Sequence, residues 1–280
     1  MRRTLIHVDT FYQHNNEEIT LSTEIYQQLY QEIMASIRPK TFPFGVKFYD
    51  TLNERPPKTQ RPAHQMNVCQ VTALTRYYGR GMFFTLEDMA CIVGAVAVGM
   101  MEPPENMRSG KIAAMLHADL ESAKRFTDLV PRIPPGKVKA VATAPLNELT
   151  FEPDIVVVYG NTSQAMRIVQ AYLWKRGGRV GFSTGGEYSL CADTLADTYN
   201  KQDLSLAVPC FGDRKTGLAQ DDELTVGFPV SLIPEILEGL RGTAKTAAYP
   251  TPFDIGFPQM PDYTLTEWAV DYRKARKGKS

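Results

Sequence analysis

The segment Asp154-Ile155-Val156-Val157-Val158-Tyr159-Gly160 limits the choice of fold more than any other in the chain. It is a continuous apolar run between turn-forming residues, with no polar alternation. A strand of that kind is buried on both faces. It therefore calls for a sheet covered by helices on each side, and the rest of the chain is read for the elements that would supply them. At 280 residues, 43% apolar and 22% charged, the chain has ordinary globular composition and enough length for a sizeable core.

Helical spacing is clearest at Ile25, Leu29, Ile33 and Ile37, with Ser22 as the expected cap and Pro39, Pro43 and Gly45 as the stop. Gly45 to Tyr49 reads as a short strand. Residues 67–80 form a second helix, closed by Gly79-Arg80-Gly81. Thr85 starts another, which would place Cys91 near its C-terminal part. A helix is expected over about Lys111 to Thr127, then a proline turn at 131–136. The second half begins with a strand at Lys139 to Leu146, followed by the 154–160 strand and a helix from Gln164 to about Lys175. Thr225 to Pro229 reads as a last strand, Ile233 to Leu240 as a helix that Ser231 would cap, and Tyr263 to Ala275 as a terminal helix. The expected architecture is α/β, with two related lobes of small sheets covered by helices. The N-terminal lobe would span 1–135, the C-terminal lobe 136–245, and an extension 246–280.

Charge narrows the partners. Lys+Arg and Asp+Glu are 31 each, and a neutral chain makes no global electrostatic case for nucleic acid. The one basic run, Arg273 to Lys279, reads as a solvated tail. The most apolar window, Ala90 to Met101, is too short to span a bilayer, so no membrane partner is expected. The first residues lack an apolar stretch of signal-peptide length, and the expected location is cytoplasmic. Four cysteines without a secretion signal do not suggest a disulfide framework.

The spacing of those cysteines is informative. Cys69 precedes Cys91 by 22 positions and Cys191 precedes Cys210 by 19. The first of each pair opens a helical-looking run, and the second is soon followed by a glycine. Two similar halves with two cysteines each would bring Cys69, Cys91, Cys191 and Cys210 around one centre, which reads as a metal site. Buried free cysteines are the plain alternative.

Several of these stretches resemble the DUF169 family of mostly archaeal and anaerobic bacterial sequences. The resemblance rests on Val46-Lys47-Phe48, Cys69-Gln70, Glu87-Asp88-Met89-Ala90-Cys91, Ala144-Pro145-Leu146, Pro153 to Tyr159, Gln164-Ala165-Met166, Cys191-Ala192-Asp193, Cys210-Phe211-Gly212-Asp213-Arg214 and Asp222-Glu223-Leu224. It covers roughly 40–240 and implies a cytoplasmic protein of anaerobic metabolism. That setting favours a [4Fe–4S] cluster on the four cysteines, in electron transfer or an accessory role beside a redox or enzyme partner. Zinc is the weaker alternative, because a Cys₄ zinc site usually shows a short Cys-x₂₋₄-Cys hook and none is present.

Other residues suggest a binding pocket. Lys47 sits mid-strand between apolar neighbours, which costs free energy unless it is paired or faces a site. Asn161 and Thr162 stand at a helix N-terminus, a generic anion site. Arg214 and Glu223 flank the second cysteine pair, and Arg214 could hold an anionic substrate. Of the four histidines, only His64 lies near a cysteine motif. Two further functions therefore stand beside the cluster. One is a metal-free module for a small anionic ligand. The other is a thiol enzyme with Cys210 as nucleophile, for which no histidine lies nearby as base.

Overall fold

The protein's structure, a computed structural model, describes residues 15–52 and 55–244, with side chains from 24 onward in the first helix. The expected helix at 263–275, the basic run 273–279 and the histidines at 7 and 14 lie outside the described residues.

The α/β class holds, but in place of two small sheets there is one. Its seven strands are β1 (Phe44–Tyr49), β2 (Thr59–Gln60), β3 (Gly81–Thr85), β4 (Ala140–Pro145), β5 (Ile155–Asn161), β6 (Ser205–Ala207) and β7 (Glu223–Pro229), in the order β2-β3-β4-β1-β5-β7-β6. All neighbours are antiparallel except β2 and β3. The reason the lobes merge is β1, which pairs with β4 through Phe44↔Pro145 and with β5 through Phe44↔Val157. A strand from the first half is thus enclosed by two from the second.

β5 is buried on both faces, as an unbroken apolar run requires. Its side chains alternate between two cores. Val156 and Val158 meet Leu29, Ile33, Ile168, Ile236 and Leu240 from α1 (Asn15–Ser36), α6 (Thr162–Arg176) and α9 (Ile233–Thr243), with Ile37 just past the end of α1. Ile155, Val157 and Tyr159 face the opposite core, with Val68 and Val71 of α2 (Val68–Tyr78), Ala95 of α3 (Ile92–Ala97) and Leu190 and Leu195 of a π-helix, Ser189–Ala196. Between α3 and β4 lie α4 (Glu105–Arg108) and α5 (Leu120–Leu129), and α7 (Asp197–Lys201) and α8 (Phe211–Lys215) flank β6.

Several boundaries differ from expectation for local reasons. The first helix starts at Asn15, so Ser22 lies within it. Thr85 does cap, but Asp88 returns a bond to the Thr85 N–H at 2.9 Å and the 3₁₀ turn ends there. Cys91 consequently sits at the N-cap of the next helix, α3. Helix α5 starts only after Asp119, whose carboxylate accepts the Ser122 N–H at 2.7 Å. Leu232, the last residue of a 3₁₀ turn, takes the N-cap of α9 that Ser231 was expected to fill.

Candidate functional site

All four cysteines lie on the α2, α3 and π-helix side of the sheet. Cys69 is the second residue of α2, Cys91 the N-cap of α3, Cys191 the third residue of the π-helix, and Cys210 the N-cap of α8. Each is half-buried and free of disulfide bonds. They are near enough for their charges to interact, but they do not converge. Among the described residues, no three of His, Cys, Asp or Glu stand close enough to hold a metal ion. The expectation of a [4Fe–4S] protein, with its electron-transfer role, is corrected on this point.

The local structure explains why the sulfurs stay apart. Cys69 Sγ donates to Gly212 O at 3.6 Å and lies 3.2 Å from Thr216 Oγ1. Cys91 Sγ accepts the Gly94 N–H at 3.4 Å, so it serves as a helix cap. Cys191 Sγ donates to Tyr188 O at 3.7 Å. Cys91 and Cys191 are held within their own turns, and Cys69 is held across the fold by the α8 segment. Cys210 differs: among the described residues its sulfur has no hydrogen-bond partner, while its backbone N–H donates to Ser189 Oγ at 2.9 Å.

Burial shifts two of these thiols. Burial pushes Cys69 up to about 12, with Asp213, Cys210 and Cys91 adding to the rise and the Thr216 hydroxyl opposing it. Burial takes Cys191 well above the ordinary thiol range, reinforced by the charges of Cys91, Cys210 and Cys69. Both stay protonated at neutral pH.

Behind the thiols lies a buried polar chain. The Tyr159 hydroxyl donates to both oxygens of Asp213, at 3.1 and 2.9 Å, and Ser189 Oγ donates to Asp213 Oδ2 at 3.4 Å. Asp213 is 1% exposed, and burial raises its carboxyl from the usual 3.8 to about 6 despite those donors and the Arg76 charge. The Arg76 guanidinium, fully buried, lies 3.8 Å above the Tyr159 ring and 4.3 Å from the Tyr77 ring. It donates to Glu223 at 3.3 and 3.4 Å and to Gly217 O at 3.0 Å. Glu223 also accepts the Gln220 N–H at 2.9 Å. Arg76, Tyr159, Ser189 and Asp213 were not among the site residues expected from the sequence. The available signal was Asp213, one helical turn after Cys210 in Cys-Phe-Gly-Asp.

Backbone geometry marks the same place. Tyr188, just before the π-helix, is held at φ 54°, and its buried hydroxyl lacks a partner among the described residues. A left-handed tyrosine costs conformational energy, and π-helical turns concentrate at functional sites.

The remaining candidates take local partners. Lys47 pairs with Asp154 at 2.8 Å. Asn161 accepts the Gln164 N–H at 2.9 Å while Gln164 returns to the Asn161 N–H at 2.8 Å, so this helix start is closed by its own side chains, with Thr162 exposed beside it. Arg214 donates to Pro209 O and Gln220 O, each at 3.0 Å, and pairs with Asp221 at 3.1 Å. His64 is exposed. A groove of about 800 Å³ between α4 and α5, lined by Arg108, Lys124, Thr127 and Arg132 among others, contains no cysteine. Among the described residues, no helix is long and apolar enough to cross a membrane.

Comparison with known proteins places these features in a family. The model of the DUF169 family, described as an uncharacterised ArCR, matches residues 32–239. An uncharacterized protein of Methanocaldococcus jannaschii, MJ0308, is 31% identical over 200 residues, covering 70% of this chain and 85% of its own length. No solved structure matches.

Proposed function

Since the chain belongs to the DUF169 family, whose description carries no activity, we propose from the site alone that it is a thiol enzyme with Cys210 as its nucleophile. Its substrate class is a small electrophile with an activated carbon and a leaving group. One observation carries this reading: of the four sulfurs, three make hydrogen bonds and, among the described residues, Cys210 Sγ makes none. A nucleophile needs a sulfur free to shed its proton and turn toward its substrate, and Cys210, half-buried, has no hydrogen bond fixing its sulfur among the described residues.

In the proposed step the Cys210 thiolate forms a bond to the electrophilic carbon and the leaving group departs with its electron pair. The proton that Cys210 sheds to form the thiolate passes to water, and water protonates the departing group; Cys69 and Cys191, kept protonated by burial, take no part in the transfer. The protein's own sulfurs thus divide into one that attacks and two that keep their hydrogens.

Timed iodoacetamide alkylation with peptide mass mapping tests the assignment. Cys210 is expected to react first, on the order of tenfold faster than Cys69. Cys210→Ser removes the fast phase and Cys69→Ser leaves it. A Cys69 or Cys191 that labels as fast as Cys210 overturns the reading.

A further inference from the structure

We propose that Asp213 is a positioning residue for the reacting cysteine: through Ser189 it holds the Cys210 backbone N–H and so sets the direction of the Cys210 sulfur. The inference rests on the reading of Cys210 as the nucleophile and concerns how that thiol is controlled.

The argument follows hydrogen-bond polarity along a buried chain. An ionised carboxylate can only accept. With Asp213 ionised, the Tyr159 and Ser189 hydroxyls both commit their protons to it. The Ser189 oxygen then has lone pairs left for the Cys210 N–H, which it meets at 2.9 Å. A protonated Asp213 must instead donate one hydrogen bond, and its available acceptors are those same two hydroxyl oxygens. One of them has to reverse, and if Ser189 accepts from Asp213 its geometry toward Cys210 changes. A water-exposed carboxylate would be indifferent to such a reversal, but this one is enclosed. Even the loop around it is fitted to it, since a Cβ at Gly217 would lie 2.3 Å from Asp213 Oδ1.

The charged and titratable groups facing Asp213 come from every packed element. Arg76 and Cys69 belong to α2, Tyr159 to β5, Cys191 to the π-helix and Glu223 to β7. Arg76 favours the ionised form, while Glu223 and burial oppose it, and the balance leaves the carboxyl titrating at about 6. The polarity reversal therefore falls within an accessible pH range.

The test follows Cys210 modification by 2,2′-dithiodipyridine, a disulfide that reacts with thiols in acid as well as neutral solution. The Cys210 sulfur forms a mixed disulfide and pyridine-2-thione leaves, so the rate is read without knowing the natural substrate. In the wild type the rate is expected to depart from a single thiol ionisation by an added inflection near pH 6. Asp213→Asn and Ser189→Ala should each abolish that inflection, and Tyr159→Phe should move it upward by removing a donor to the ionised carboxylate. Near-UV circular dichroism identifies any variant that has lost its packing, and the three substitutions touch different elements. A fast Cys210 whose profile survives Asp213→Asn overturns this inference and leaves Cys210 as nucleophile. A wild-type Cys210 no faster than Cys69 overturns both.

Discussion

At the level of single residues, the most consequential is Arg76, an arginine with no solvent exposure between two tyrosine rings. Its guanidinium neutralises Glu223, only 4% exposed, and supports the ring whose hydroxyl holds Asp213. Removing one partner of a buried pair leaves the other charge without compensation. Arg76→Met is accordingly expected to destabilise the fold by about 3–5 kcal/mol, read from urea denaturation midpoints. The pairing joins α2 to β7 across 147 positions, which is why it was invisible in the sequence. Glu223 was singled out there for its place near a cysteine, whereas Arg76 lies within an ordinary helical run. The repeat-like spacing of the cysteines suggested one shared centre, which the described residues do not form. What spacing could not convey is the partner of each sulfur, since Gly94 and Tyr188 engage Cys91 and Cys191 through folded turns and Thr216 reaches Cys69 from 147 positions away.

Among the elements, legibility followed the strength of the local pattern. The long apolar strand β5, the helix carrying Ile25, Leu29 and Ile33, and the helix closed by Gly79 all lie where periodicity placed them. β3 and β6 were missed because both are short and lack a strict two-residue alternation; β6 is a three-residue edge strand. The π-helix has no simple sequence signature, as its wider turn depends on what packs around it. Contact between α6 and α9 was equally unreadable. It depends on Gly239, where an added Cβ would fall 2.0 Å from Ala171 O. Backbone cannot yield as a flexible side chain can, so the two helices would have to separate. Gly239→Ala is expected to cost about 1–3 kcal/mol, seen as a lower urea midpoint. Cys210 modification should be unchanged, because α6 and α9 cover the other face of the sheet.

For the whole molecule, the sheet sets a division of labour. One face packs α1, α6 and α9 into an apolar layer, and the opposite face carries the cysteines, the π-helix and the buried Asp213 chain. The expected pair of lobes failed at β1, whose two neighbours both come from beyond the 131–138 turn. A reading that pairs strands with their sequence neighbours would not find this, since both pairings are long-range. A fragment ending at residue 135 would keep β1 and lose both of its neighbours. It is expected to lack cooperative unfolding and dispersed amide resonances when expressed alone, while a chain through residue 244 should show both.

The enclosed position of β1 also bears on synthesis. On the ribosome, Phe44 to Tyr49 emerge well before Ala140 to Pro145 and Ile155 to Asn161, the segments that satisfy their hydrogen bonds. Throughout that interval the nascent polypeptide presents an apolar ribbon with two open edges, the kind of surface that recruits chaperones or seeds aggregates. Translation speed between these segments thus becomes a determinant of yield, although the codons concerned encode neither the reactive sulfur nor the residues that orient it.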